Sequence, residues 1–249
     1  MPPNRLKRVG LVVPAPNPTV EPEVRRLLPP ELAVHATRLP LLAGDLQARN
    51  DALAAHYPAA VKSFGTLQLD AIFLGATGPT YALGAVRERE LAARLSGDAG
   101  APVETANLAI LNTLRSIDAA GIVLIAPYPD WLMARAVAYW EGAGIRVAQV
   151  IPMAGEPRGY KVGTADVHTA LRKAQAPAGG AVIFGGAGMA TLDAIATALP
   201  EFEVPLLSAN LCGAWRIAMR LGARPGADLA RAAPALAARL PAPRPTAAD

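Results

Sequence analysis

The chain repeats itself. Gly10-Leu-Val-Val-Pro-Ala-Pro-Asn-Pro-Thr19 lies over Gly121-Ile-Val-Leu-Ile-Ala-Pro-Tyr-Pro-Asp130 at an offset of 111, matching Gly10 with Gly121, Ala15 with Ala126, Pro16 with Pro127 and Pro18 with Pro129. Ala71-Ile-Phe-Leu-Gly-Ala-Thr-Gly78 lies over Ala181-Val-Ile-Phe-Gly-Gly-Ala-Gly188 at an offset of 110. Two separate segments sharing nearly one offset predict two homologous half-domains related by a pseudo-two-fold axis. In such a pair a ligand sits in the cleft between matching turns.

The rest of the chain fits that frame. Short apolar runs bounded by Gly or Pro occur at Val9–Val13, Ala33–Leu39, Ala71–Leu74, Gly121–Ala126, Arg146–Ile151, Ala181–Phe184 and Val204–Ser208, with a weaker one at Pro102–Thr105. Runs of this kind read as buried parallel strands. Helical patterns lie between them, at Leu46–Phe64, Arg87–Leu95, Leu108–Ile117, Leu132–Gly142 and Ala165–Ala174. Leu211–Leu221 and Ala227–Leu240 follow as helices, and the Pro- and Ala-rich tail Pro241–Asp249 reads as frayed. Strand and helix in alternation predict an α/β fold: two pseudo-symmetric half-domains, each a parallel sheet flanked by helices, with the ligand cleft between them. The expected division is residues 1–118 with 211–249 for the first half and 119–210 for the second.

Composition narrows the function classes. The 249 residues carry a formal charge of +4, but Lys and Arg are scattered. The densest basic stretch, Arg5, Lys7 and Arg8, reads as a solvated lead-in, so nucleic acid is not an expected partner. No apolar run approaches the ~20 residues of a membrane span. Cys212 is the single cysteine, which rules out an internal disulfide and fits a reducing compartment. The basic start is followed by too short an apolar run for a signal peptide. A cytoplasmic protein is the expectation.

In parallel α/β sheets, ligands bind beyond the carboxyl ends of strands. Four turns qualify. In Pro16-Asn17-Pro18-Thr19, Pro18 suits the first helical position and Asn17 the N-cap, where its side chain either caps the helix or donates to an anion. The matching turn puts Tyr128 at the equivalent place; a tyrosine is a poor cap, so its hydroxyl is expected in the cleft. Gly75-Ala76-Thr77-Gly78 and Gly185-Gly186-Ala187-Gly188 let backbone N–H groups approach a ligand closely, and Thr77 adds a hydroxyl. Such a nest suits a carboxylate or an enolate beside one. A tight turn without a ligand is the alternative. Neither turn has the spacing of a phosphate or dinucleotide motif.

These segments resemble the aspartate/glutamate racemase superfamily, in its branch of maleate cis–trans isomerases and arylmalonate decarboxylases. The resemblance rests on Gly10-Leu-Val-Val-Pro with Asn17-Pro-Thr-Val-Glu-Pro-Glu23, on Leu74-Gly-Ala-Thr77, on Ala126-Pro-Tyr128, on Thr191-Leu-Asp-Ala-Ile195, and on Ser208-Ala-Asn210 with Trp215. It implies small mono- or dicarboxylate substrates, no metal or organic cofactor, and a homodimer as a compatible assembly. It also implies a cysteine in each half, one acting as base or nucleophile and the other as acid; the decarboxylases keep only the second. The positions that align with them here are Ala76 and Gly186, so both thiols are missing. Cys212 lies one turn into a helix and reads as a buried small hydrophobe.

Alanine and glycine move no protons. The two-cysteine chemistry implied by the resemblance is therefore closed to this chain. The carboxylate-holding set remains: Asn17, Ala76, Thr77, Gly78, Tyr128, Gly186, Ala187 and Asn210. Tyr128 is the best candidate acid or base, with Thr77 beside it as a catalytic donor. Tyr81, Glu21, Asp130 and Glu104 are secondary candidates, and Asp193 reads as a helix-start residue capped by Thr191. His35, His56 and His168 fall away from the turns without metal-ligand spacing. The expectation is a cofactor-free isomerase or decarboxylase-like enzyme on a small carboxylate. A non-catalytic carboxylate-binding protein is the alternative, and a purely structural module is the weakest reading.

Overall fold

The computed structural model describes residues 6–153 and 160–242. The chain forms eight strands: β1 (Lys7–Val13), β2 (Leu32–Arg38), β3 (Ala71–Leu74), β4 (Val103–Thr105), β5 (Ile122–Ala126), β6 (Val147–Pro152), β7 (Ala181–Phe184) and β8 (Leu206–Ser208). They make two four-stranded parallel sheets in the orders β2-β1-β3-β4 and β6-β5-β7-β8. The second order is the first with four added to every strand number. Sequence matching at offsets of 110 and 111 thus reports a real duplication of topology. Within the first sheet Val12 pairs with Leu74, and within the second Ile125 pairs with Phe184. The turns that follow those central strands therefore emerge side by side.

The inner strands β3, β5 and β7 are apolar on both faces because helices cover both faces. Every residue of β3, β5 and β7 is buried. One continuous buried cluster runs through both halves, from Leu11 and Phe73 to Ile125, Phe184 and Trp215. A smaller cluster of Val12, Leu39, Tyr57, Ile72 and Leu95 packs the outer face of the first sheet. The helices Ala106–Ser116 and Ala209–Leu221, which leave β4 and β8, pack on each other at the seam. The second also packs on Val20–Leu27, so the chain returns to its first half after the second sheet. Gly213 makes this fit possible: a Cβ there would meet the Phe73 ring at 2.4 Å.

Two expected helices are broken, and proline is the reason in each. The expected helix Leu46–Phe64 is instead Leu46–Leu53, a 3-10 turn Ala54–His56 and a helix Tyr57–Lys62 with Pro58 in its first turn. Ala227–Leu240 divides into Ala227–Ala232 and Pro234–Ala237, because the residue before a proline is pushed away from helical geometry. Lys7 and Arg8 belong to β1 and are not a loose lead-in, while Arg5 lies outside the described residues. Of the tail expected to fray, residues 243–249 also lie outside them. No helix among the described residues is long and apolar enough to cross a membrane.

Candidate active site

The turns after β1, β3, β5 and β7 converge on one pocket of about 270 Å³ at the seam. Its floor and walls carry Asn17, Ala76, Thr77, Gly78, Tyr128, Gly186 and Ala187, seven of the eight positions expected at the site. Prolines and leucines, among them Pro14, Pro79, Leu42 and Leu132, supply most of the remaining wall. A mostly apolar pocket with a few convergent polar groups is the usual form of a small-molecule site.

Thr77 and Tyr128 form the polar centre. Their hydroxyls lie 2.8 Å apart, one from each half. Tyr81 stands behind, its hydroxyl 3.3 Å from that of Tyr128. Burial pushes the Tyr128 phenol up to about 12, with its hydrogen bonds to Thr77 and Tyr81 pulling the other way. At neutral pH the group is a phenol with a proton to donate. Asn107 fixes the turn from below, donating to the Thr77 carbonyl and to Thr80 Oγ1, each at 2.9 Å.

The glycine-rich turns leave donors unused. Among the described residues, the backbone N–H groups of Thr77, Gly186, Ala187 and Gly188 have no hydrogen-bond acceptor. Backbone donors without partners in the wall of a pocket fit a site that takes an acceptor from a ligand. The Gly186 backbone has φ of +102°, in the region that favours glycine. The Tyr128 ring packs over this turn: a Cβ at Gly186 would lie 3.4 Å from Cε1 and 3.7 Å from the hydroxyl.

Asn17 takes the first of the two roles open to it, as acceptor for the start of the helix. The helix it precedes starts at Val20, two residues beyond the expected Pro18 start. Asn17 Oδ1 accepts from the backbone N–H of Thr19 at 2.8 Å and of Val20 at 3.1 Å. That leaves its NH2 as the group that can face a pocket occupant. Arg38 locks the same turn by donating to the carbonyls of Pro14, Ala15 and Asn17.

Asn210 corrects an expectation. It is buried behind the pocket, where its amide donates to Glu23 Oε2 at 2.8 Å and to the Ala187 carbonyl at 3.2 Å. It is not among the residues that line the pocket, and its bond to the Ala187 carbonyl holds that turn from behind. Glu23 was not among the expected site residues. Its Oε1 accepts from the N–H groups of Thr191 and Leu192, at 2.8 and 2.9 Å. Glu23 therefore caps the helix Leu192–Ala198 from the opposite half, replacing the expected Thr191 cap, whose hydroxyl is buried without a partner. Burial raises the Glu23 carboxyl above its ordinary range despite these donors.

The other candidate acids lie outside the pocket. Glu104 is buried against Arg220 at 2.8 Å and Asn112 at 2.9 Å. Glu21 pairs with Arg25, and Asp193 with Arg26 and Arg231. Asp130 is exposed at a helix start. Cys212 is fully buried, and burial pushes its thiol up to about 12. None of the three histidines lines the pocket. Among the described residues no group of three or more His, Cys, Asp or Glu is placed to hold a metal ion. Sequence reasoning also missed Arg49, the single basic side chain that lines the pocket among the described residues. It lies in a stretch whose pattern reads as an ordinary amphipathic helix, so only the fold could single it out.

Known proteins share this architecture. The arylmalonate decarboxylase family model matches residues 9–231. The maleate isomerase of Nocardia farcinica is 28% identical over 226 residues, covering 85% of this chain and 89% of that protein. The solved structure of a Nocardia farcinica maleate cis–trans isomerase bound to TRIS has a TM-score of 0.79 at 25% identity, covering 92% of this chain and 99% of that one. A crystal structure of arylmalonate decarboxylase has a TM-score of 0.70 at 22% identity, covering 84% and 90%. A duplicated sheet, matching turns at one seam and a family match over nearly the whole described chain agree: this protein belongs to the arylmalonate decarboxylase family.

Proposed function

We propose that the protein is a cofactor-independent enzyme of the isomerase or decarboxylase type, acting on a small carboxylate without thiol chemistry. The observation that carries this reading is the 2.8 Å contact of Thr77 and Tyr128 across the seam, among backbone N–H groups with no acceptor of their own. Removal of a proton or of CO2 next to a carboxylate leaves an electron pair that spreads into an enediolate. Donors already in place around its oxygens stabilise it without reorganisation. In the decarboxylase case the carbon–carbon bond to the departing CO2 breaks, and its electron pair enters the enediolate. The Tyr128 hydroxyl then gives its proton to that carbon, and the phenolate regains one from water. Asn17 and the Thr77 hydroxyl orient the remaining carboxylate.

The test is turnover in D2O followed by NMR, over a panel of malonates, maleate, hydantoins and amino acids. Deuterium uptake, isomerisation or CO2 release that falls at least about 100-fold in Tyr128→Phe supports the enzyme. Turnover undiminished in Tyr128→Phe overturns the role of the phenol. Ala76 and Gly186 in the two matching turns favour a second reading, a carboxylate-binding protein that no longer converts its ligand. A panel compound that raises the melting temperature while none is converted would decide for it.

A further inference from the structure

The pocket has a second polar pair, at its mouth. Arg49 stands in the helix Leu46–Leu53, next to Asn50, whose Nδ2 donates to the Gly78 carbonyl at 3.3 Å. That contact sets the helix directly over the glycine turn. The Arg49 side chain is half-buried and lines the pocket, yet among the described residues its guanidinium has no ion pair and no hydrogen bond. Tyr160, from the second half, lines the same mouth. Both side chains line the one pocket, and the positive charge of Arg49 favours the phenolate form of Tyr160, opposing the effect of burial. Around them the collar is apolar and open: Leu41 is 73% exposed, Leu46 37% and Tyr160 45%. Exposed large apolar groups gathered at a pocket mouth mark a surface that a ligand covers.

The floor pair, Thr77 with Tyr128, and the mouth pair, Arg49 with Tyr160, each join one residue from either half. A ligand that met both would have polar groups at its two ends and an apolar stretch between them. We propose that Arg49, assisted by the Tyr160 hydroxyl, is the specificity-determining residue that selects a substrate with a second carboxylate at the mouth end. This rests on the carboxylate-site reading above and deepens it. A guanidinium presents paired N–H donors matched to a carboxylate, and a charge-assisted bond beside apolar walls is stronger than one in open water. An ester or amide at that end cannot take the same two bonds with a full negative charge.

The experiment measures binding by ligand-observed NMR for short dicarboxylates and their monomethyl esters, in wild type, Arg49→Met, Arg49→Lys and Tyr160→Phe. Wild type is expected to bind at least one diacid roughly tenfold or more tightly than its monoester. Arg49→Met should bring the two to equal affinity, Arg49→Lys should keep part of the preference, and Tyr160→Phe should weaken it. Added salt should narrow the gap in wild type and leave Arg49→Met indifferent. Because the guanidinium holds no described partner, melting temperatures of the variants should match wild type, separating recognition from folding. A diacid preference that survives intact in Arg49→Met, or esters bound as tightly as diacids by wild type, overturns this inference and leaves the proposed function standing. Failure of wild type to bind any acid or ester overturns both.

Discussion

Glu23 and Asn210 meet 2.8 Å apart behind the pocket, and their contact ties the two halves together. The Glu23 carboxylate also takes the N–H groups of Thr191 and Leu192 at the start of the helix Leu192–Ala198, and the Asn210 amide holds the Ala187 carbonyl. Glu23→Ala strands three buried donors at once. The expected loss of stability is about 3 kcal/mol or more, since each unsatisfied buried donor costs about 1–3 kcal/mol. Glu23→Gln keeps one acceptor for the helix but turns an NH2 toward the Asn210 NH2, so an intermediate loss is expected. Urea unfolding of the three proteins checks the order.

Placing thiols at the two turns should not be symmetrical. Ala76 already carries a Cβ, and Ala76→Cys is expected to remain within about 1 kcal/mol of wild type. Gly186 sits at φ +102°, where any side chain strains the backbone by about 1–3 kcal/mol. Gly186→Cys should therefore melt several degrees lower than Ala76→Cys. Equal melting temperatures would show that this turn relaxes when it gains a side chain.

Glu88 makes stability depend on pH. It is fully buried and accepts a hydrogen bond from Tyr139, and burial raises its carboxyl above the ordinary 4.5. The folded protein thus binds this proton more tightly than the unfolded chain. The contribution is complete below pH 4.5 and is lost as pH rises through the raised native value. Glu88→Gln carries no proton to lose, so the variant should gain stability relative to wild type as pH rises from 4 toward 8. Unfolding titrations across that range would refute this if the two curves ran parallel.

Asp193 acts in the opposite direction. Its hydrogen bonds to Arg26, with those to Arg231, hold its carboxyl down at about 2, below the ordinary 3.8. Its stabilisation is present above pH 3.8 and fades as pH falls toward 2. The group is about half exposed, so Asp193→Asn should cost under about 1 kcal/mol at neutral pH and less in high salt. A larger loss would mean the pair does more than decorate the surface.

Cys212 should be silent to a thiol reagent in the folded protein and react fully once unfolded. It has no exposure, and burial keeps the thiol protonated at any pH the protein meets. Native-state labelling faster than global unfolding would contradict this.

Much of the fold was legible because a duplicated chain writes its pattern twice. β3 and β7 begin and end at the residues their apolar runs mark, and the other strands differ by a residue or two. The helix breaks at Pro58 and Pro234 were visible as prolines but were outweighed by the apolar pattern around them. Asn17, Thr77, Tyr128 and Gly186 were legible because each follows a central strand, where connectivity alone brings chain to the cleft. Asn210 follows the edge strand β8, which sets it one layer back.

The sequence by itself determined the two parallel half-domains, the four turns at their seam and the absence of a thiol at Ala76 and Gly186, since strand period, proline, glycine and residue identity are local. Which side chains meet across the seam was decided only by tertiary structure. Glu23 reaching Thr191, Tyr128 reaching Thr77 and Arg49 sharing a mouth with Tyr160 each join residues far apart in the chain. No local pattern encodes such distances; they follow from how two sheets and the helices between them pack.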